Sequence, residues 1–314
     1  MSNLRNLSLA LALAATGAAP AVMAQSIHAG SETGSYTKDF CPEVEKALKK
    51  GYFEHKCTIS QGTGDNVDKV LAKPSDVGIG QFDIVAARAE QAAGKLTVIN
   101  PNIGLECLYA VTSDPAVTSL KGLAARMPVA LPPEKSGATA TFQYLQSLDK
   151  GLAELRKVTY YGSALEAVEA VTKGDAALAF IVQFPNTKND VFKAINEAKL
   201  HFIPVINREI LRREIGGQAV YQPQEVVVTP VGMLSKLTGK EAQKIETTCT
   251  PVVLFTGDPS QFKEGSNERK DQDELIKTLG QAQPPSSKDW KDVLKNTIAI
   301  GKDKVEGLIQ KYSQ

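Results

Sequence analysis

The sequence predicts an α/β protein, and three observations carry that expectation. Short apolar runs alternate with amphipathic stretches along the chain, the alternation that builds sheets covered by helices. The chain has 314 residues, 42% of them apolar and 23% charged, enough for about two packed domains. One helix-turn-strand pattern also occurs twice: Val67-Asp68-Lys69-Val70-Leu71 with Asp76-Val77-Gly78-Ile79-Gly80-Gln81, and Leu165-Glu166-Ala167-Val168 with Asp175-Ala176-Ala177-Leu178-Ala179-Phe180, then Gln183. Two lobes of similar construction would produce that echo, and so would chance likeness between two short αβ units.

Residues 1–24 have the layout of a secretory signal: Arg5 in a short polar start, an apolar run 7–15, and Val22-Met23-Ala24 before the expected cleavage after Ala24. Cleavage removes one charge, Arg5, from 36 Lys plus Arg set against 35 Asp plus Glu, so the mature chain is neutral. A balanced chain without a Lys/Arg block lacks the electrostatic footprint of a nucleic-acid binder. Gln25 and not a Cys stands directly after the cleavage site, so the expected product carries no lipid anchor and is a free soluble protein in the periplasm, not inserted in the membrane, where Cys41, Cys57, Cys107 and Cys249 can pair.

The mature chain opens with a helix signalled by Tyr36, Phe40, Val44 and Leu48 at four-residue spacing, with Pro42 marking a late start or a kink. Strands are expected at 107–112, 129–131, 158–161, 176–182, 202–206, 225–229 and 251–255, with helices between them. The last segment, 286–312, reads as one long amphipathic helix with Trp290, Leu294, Ile298 and Leu308 on its apolar face, interrupted at Gly301.

Catalytic signatures are missing. His28, His55 and His201 stand alone in the sequence, without a second ligand at zinc spacing. There is no G-x-S-x-G elbow and no P-loop, and the glycines of Gly30-Ser31-Glu32-Thr33-Gly34-Ser35 do not fit the dinucleotide spacing. Neither a metal nor a cofactor is called for. What stands out is three small-residue loops that each lead into a helix: 30–36, Gly62-Thr63-Gly64-Asp65-Asn66, and Lys135-Ser136-Gly137-Ala138-Thr139. Free N–H groups at a helix start, with hydroxyls beside them, bind carboxylate or phosphate oxygens. The same residues also serve as ordinary helix caps.

At these segments the chain resembles the type 2 periplasmic solute-binding proteins, and in particular the TAXI-type substrate-binding subunit of tripartite ATP-independent (TRAP) transporters. The resemblance is carried by Ala29-Gly30-Ser31-Glu32-Thr33-Gly34-Ser35-Tyr36, by 62–67, by 76–81, by 108–115 with Ser119-Leu120-Lys121-Gly122-Leu123, and by 133–139. It departs where that family has a Ser-Val-Asn-type turn and this chain has Gly64-Asp65-Asn66, and where Gln183-Phe184-Pro185 replaces a Gly-Gly-x-Pro-like element. The resemblance implies two lobes joined by two hinge crossings near 112–117 and 245–250, lobe one being 25–116 plus 247–314 and lobe two 117–246. It implies ligand contacts from Ser31, Thr33, Tyr36, Thr63, Gly64, Gln81, Ser136, Gly137 and Thr139. Gln183 is added from the internal echo of Gln81.

Two disulfides are expected on this frame. If the first helix ends near Lys50, Cys41 lies about 13 Å back along it, and a strand returning from Phe53 climbs about 13 Å by Cys57, so their sulfurs share one level. Cys107 and Cys249 would then pair beside the hinge, tying the two halves of lobe one; free buried thiols are the alternative. The expected function is capture of a small anionic solute, an amino acid or a dicarboxylate, for the permease subunits of a TRAP-type transporter. The anion would be gripped by Ser136 and Gly137, with Lys135 a solvated rim charge. A sensor partner or a phosphate- or phosphonate-type binder would use the same loops. An enzyme on this scaffold would need a general base, and the matched loops hold no His or Cys.

Overall fold

The computed structural model describes residues 25–99, 103–230 and 241–313. The expected signal segment, 1–24, lies outside them. Among the described residues no helix is long and apolar enough to cross a membrane.

The first lobe is laid down by β1 (Ser26–His28), α1 (Cys41–Lys50), β2 (Lys56–Thr58), α2 (Thr63–Ala72), β3 (Val77–Gln81), α3 (Phe82–Gln91) and β4 (Leu96–Ile99). Pro42 sits in the first turn of α1, where its missing N–H costs nothing, and a π-helical turn, Tyr36–Phe40, leads in. β2 and β3 flank β1 in parallel. His28, isolated in the sequence, meets Asp76 Oδ2 at 2.9 Å in space.

The second lobe follows with β5 (Leu105–Thr112), β6 (Val129–Leu131), α4 (Gly137–Leu148), α5 (Lys150–Ala153), β7 (Val158–Tyr160), α6 (Ala164–Lys173), β8 (Leu178–Gln183), α7 (Asp190–Glu197) and β9 (His201–Pro204). A short turn, α8 (Arg208–Leu211), and a hairpin of β10 (Glu214–Ile215) and β11 (Gln218–Ala219) lead into β12 (Gln222–Thr229). Helix boundaries here are written locally. Ser163 accepts from Glu166 N at 3.1 Å while Glu166 accepts from Gly162 N at 3.0 Å, and Gly174 ends α6 at φ 80. Parallel β6–β7 and β6–β8 pairs are joined to antiparallel β5 and β9.

β13 (Gln243–Gly257) belongs to both sheets. Its first part pairs antiparallel with β12 and with β5 up to Pro251; from Val252 it pairs with β3, and from Leu254 also with β4. This geometry corrects three expectations. Residues 105–112, assigned above to lobe one, hydrogen-bond to β8 and β9, so the first crossing lies between β4 and β5 and not at 112–117. The second crossing falls between Pro251 and Val252, just past the expected 245–250. The physical reason is that strand pairing, not the end of an apolar run, decides to which sheet a segment belongs.

The third correction concerns the C-terminal segment. After α9 (Asn267–Leu279) the chain forms α10 (Lys288–Lys295), β14 (Thr297–Ala299) and α11 (Lys302–Ser313), where one long helix is expected. Ile298 sits in a β-branched run, Thr297-Ile298, that pairs with the edge of β12. The segment therefore spans both lobes instead of belonging to the first. Trp290 packs against Phe40 of the first lobe at 4.7 Å and Phe184 of the second at 4.7 Å, while Glu306 meets Arg212 at 3.1 Å on the second.

Both expected disulfides are present, Cys41–Cys57 and Cys107–Cys249. Cys107 and Cys249 stand directly opposite each other on β5 and β13, so this bridge lies in the second sheet at the crossing and does not tie the halves of lobe one. One apolar cluster runs across the lobes, placing Phe82, Val85 and Phe255 with Leu108, Phe142 and Phe180. Each such side chain contributes about 1.5–3 kcal/mol when fully buried, and the cluster packs the two lobes against each other.

Candidate functional site between the lobes

The N-terminus of α2 in the first lobe faces the N-terminus of α4 in the second. Gly62 adopts φ 118, and a Cβ there would stand 3.1 Å from Gly137 N. A Cβ on Gly137 would overlap the Gln81 carboxamide and come within 3.0 Å of Thr63 Oγ1. Glycine is thus required at both positions for the two loops to touch. Thr63 Oγ1 donates to Gln81 Oε1 at 3.4 Å and accepts from Gln81 N at 3.3 Å. Of the residues expected at the site, Thr63, Gly64, Gln81, Ser136 and Gly137 are brought together here. Gly64 joins them because a Cβ on it would lie 3.3 Å from Lys135 O.

Ser136 reaches the contact by its backbone only, and the side chains of Ser136, Thr139 and Gln183 are engaged elsewhere. Ser136 Oγ accepts from Thr139 N at 3.2 Å, and Thr139 Oγ1 donates to Pro132 O at 3.0 Å, so both hydroxyls serve α4 itself. Gln183 Oε1 accepts from Asn189 Nδ2 at 2.7 Å, within its own lobe, and the echo of Gln81 does not carry into space. Ser31 and Thr33 are exposed. Replacing Gly137 with Val forces the facing loops apart; small-angle scattering should show an expanded protein, and affinity for a bound solute should fall at least about tenfold.

Sequence reasoning named Tyr36 but missed the two carboxylates at the centre of the site. Tyr36 OH donates to Glu106 Oε2 at 2.6 Å, at the start of β5 just after the first crossing. Asp83, fully buried at the start of α3, accepts from Thr141 Oγ1 of α4 at 2.6 Å and from Tyr221 OH at 2.9 Å, so a first-lobe carboxylate is bonded twice to the second lobe. Its backbone N–H donates to Thr250 Oγ1 of β13 at 3.3 Å. The signal for Asp83 was its place directly after the matched segment 76–81. Glu106 carried none, because a carboxylate entering a strand usually means an exposed face.

Burial pushes the Glu106 carboxyl up to about 8 against the hydrogen bond from Tyr36, and the charge of Asp83 adds to the rise. Burial pushes Asp83 up to about 6 against the hydrogen bonds from Thr141 and Tyr221. Burial and Glu106 together raise the Tyr36 phenol well above its ordinary value, so it remains a donor. Among the described residues no Lys, Arg or His forms an ion pair with either carboxylate. At neutral pH the arrangement offers negative charge from Asp83, and from Glu106 as the pH nears 8, beside the positive ends of two helices.

The chain is a two-lobed α/β protein whose lobes close over a buried polar site. No family model matches it, and no curated protein matches it. Among solved structures, it is similar to the GluR0 ligand-binding core in complex with L-glutamate, at 12% identity and a TM-score of 0.47, covering 88% of this chain and 99% of that one. It is similar to the arginine-, lysine-, histidine-binding protein ArtJ from Geobacillus stearothermophilus, at 10% identity and a TM-score of 0.46, covering 90% and 99%. A third similar structure is the substrate-binding protein of an amino acid ABC transporter, at 10% identity and a TM-score of 0.44, covering 93% and 100%.

Proposed function

We propose that this chain is an exported solute-binding protein that closes on a small amino acid and delivers it to a membrane transporter. The observation that supports this reading is a buried site to which both lobes and both crossings contribute, with two carboxylates that pair with no cation among the described residues. An ammonium group beside Glu106 and Asp83 supplies the missing positive charge, and the carboxylate of the same molecule fits the N–H groups that open α2 and α4. An amino acid carries both. A dicarboxylate would set like charges against Asp83 and is the weaker of the two anionic classes considered above. Export rests on residues 1–24, and a TRAP-type permease as the partner rests on the family resemblance alone.

A ligand panel followed by thermal unfolding, preceded by native mass spectrometry of the purified protein, tests this. An amino acid present at 100 times its dissociation constant should add about 2.7 kcal/mol of stability, and dicarboxylates and phosphate should add none. Stabilisation by a dicarboxylate with no response to any amine-bearing solute would overturn the amino-acid reading. Glu106, raised to about 8 beside Tyr36, also has the properties of a general acid–base pair, so a second reading is an enzyme on the same scaffold. Conversion of the stabilising solute into a product, followed by mass spectrometry, would move that reading to the front.

A further inference from the structure

α9 belongs to the first lobe, where Leu275 and Leu279 share one apolar cluster with Val44 and Leu48 of α1. The chain then leaves that lobe through Gln283-Pro284-Pro285-Ser286, whose two prolines fix φ and stiffen the link. α10 is fastened to the second lobe: Asn296 Nδ2 donates to Pro185 O at 2.8 Å, Asn296 O accepts from Val227 N at 2.9 Å, and Lys188 meets Asp289 at 3.3 Å. From α10 the buried Trp290 ring stands edge-on, at 4.7 Å each, to Phe40 of the first lobe and Phe184 of the second. Phe40 and Phe184 themselves stack at 5.1 Å, with 17° between their planes. All three rings close on Gly104 in the first crossing, where a Cβ would stand 3.1 Å from Phe184, 3.2 Å from Trp290 and 3.3 Å from Phe40. Gly104 O accepts from Val252 N at 2.9 Å, so the two crossings are bonded to each other at the same point.

We infer that this segment is a third crossing and that Phe40, Phe184 and Trp290 form a stop on the hinge, which holds the solute-free lobes together and limits how far they open. Rotation about Gly104 and Val252 has to move Phe184 and Trp290, which ride on the second lobe, away from Phe40. Rings packed this closely lose a quarter to a half of their attraction when a gap of about 0.5–1 Å opens. The stop also reaches the interlobe site. Tyr36, which donates to Glu106, stands edge-on to Phe40 at 6.1 Å and to Phe184 at 6.2 Å, so lobe opening and the hydrogen bond to Glu106 are coupled through these rings. The inference rests on the closing of two lobes in the reading above, and not on the solute being an amino acid.

Small-angle scattering of the full-length protein without solute reads the opening. Trp290→Ala removes one ring pair that spans the lobes, so it should shift the ratio of open to closed protein about 2- to 12-fold and raise the radius of gyration. Trp290→Phe keeps a ring there and should stay near the unaltered protein. Phe192→Leu disrupts a pair inside the second lobe, with Phe202 at 5.8 Å, and should lower the melting temperature without expansion. Gly104→Ala retains the one tryptophan of the chain as a reporter: the added methyl wedges the rings apart, so acrylamide should quench the indole more strongly and its emission should move to the red. An unchanged radius in Trp290→Ala, an equal expansion in Phe192→Leu, or unchanged quenching in Gly104→Ala would each overturn the stop. Should Trp290→Ala fail to fold, Gly104→Ala decides. None of these readouts uses a solute, so their failure leaves the amino-acid reading standing, and failure of the ligand panel leaves the stop standing.

Discussion

Replacing Cys107 and Cys249 together by Ala should lower the free energy of unfolding by about 5 kcal/mol, against about 3 kcal/mol for the same change at Cys41 and Cys57. The difference follows from loop length: the first bridge closes a separation of 142 residues in the unfolded chain and the second one of 16. Loop-closure entropy grows with the logarithm of that separation, so the longer loop loses more freedom when crosslinked. Cys107 and Cys249 are directly opposed on two adjacent strands at the crossing. Native contacts there hold the strands together without the bridge, so its contribution lies mainly in the unfolded state. Urea unfolding of the two double variants, compared by midpoint and slope, decides the matter. Equal losses would refute the loop-entropy account for this protein.

Glu106→Gln should change both stability and binding, in opposite directions. A carboxyl whose folded value is raised contributes stability that is fully present below its unfolded value and lost as pH rises through the folded one. For Glu106 that window runs from 4.5 to about 8, and for Asp83 from 3.8 to about 6. Solute-free protein should therefore be most stable near the acid end and should lose stability toward pH 8. Glu106→Gln removes the upper part of that loss, raising the melting temperature at pH 8 by several degrees while leaving it nearly unchanged at pH 4.5. The same variant should weaken an amine-bearing solute about 10- to 100-fold at pH 8, where a charge-assisted hydrogen bond is lost. In the unaltered protein, affinity should climb from pH 6 to 8 as Glu106 ionises. A flat affinity profile would show that the ammonium is not held by Glu106.

What the sequence determined by itself is local. The apolar spacing of Tyr36, Phe40, Val44 and Leu48 marked the first helix, and the buried runs at 129–131 and 178–182 became strands, because period and turn chemistry act over a few residues. The cysteine pairing was legible as well, since helix rise and strand rise alone set Cys41 and Cys57 at one level. The small-residue loops at 62–64 and 135–137 were visible as helix starts, and Gly62 and Gly137 are glycines because these two backbones touch.

Tertiary structure decided the rest. Only pairing across the sheets assigned β5 to the second lobe and split β13 between the two, since a strand's apolar run does not name its partner. Ile298 followed a helical period but, with Thr297, had an open edge of β12 to pair with, and that edge prevailed. Neither Glu106 nor Asp83 belongs to a motif that the sequence analysis singled out. Their chemistry arises from burial and from Tyr36, Thr141 and Tyr221, the nearest of which is 58 positions away along the chain, and desolvation by distant segments leaves no mark in a local pattern.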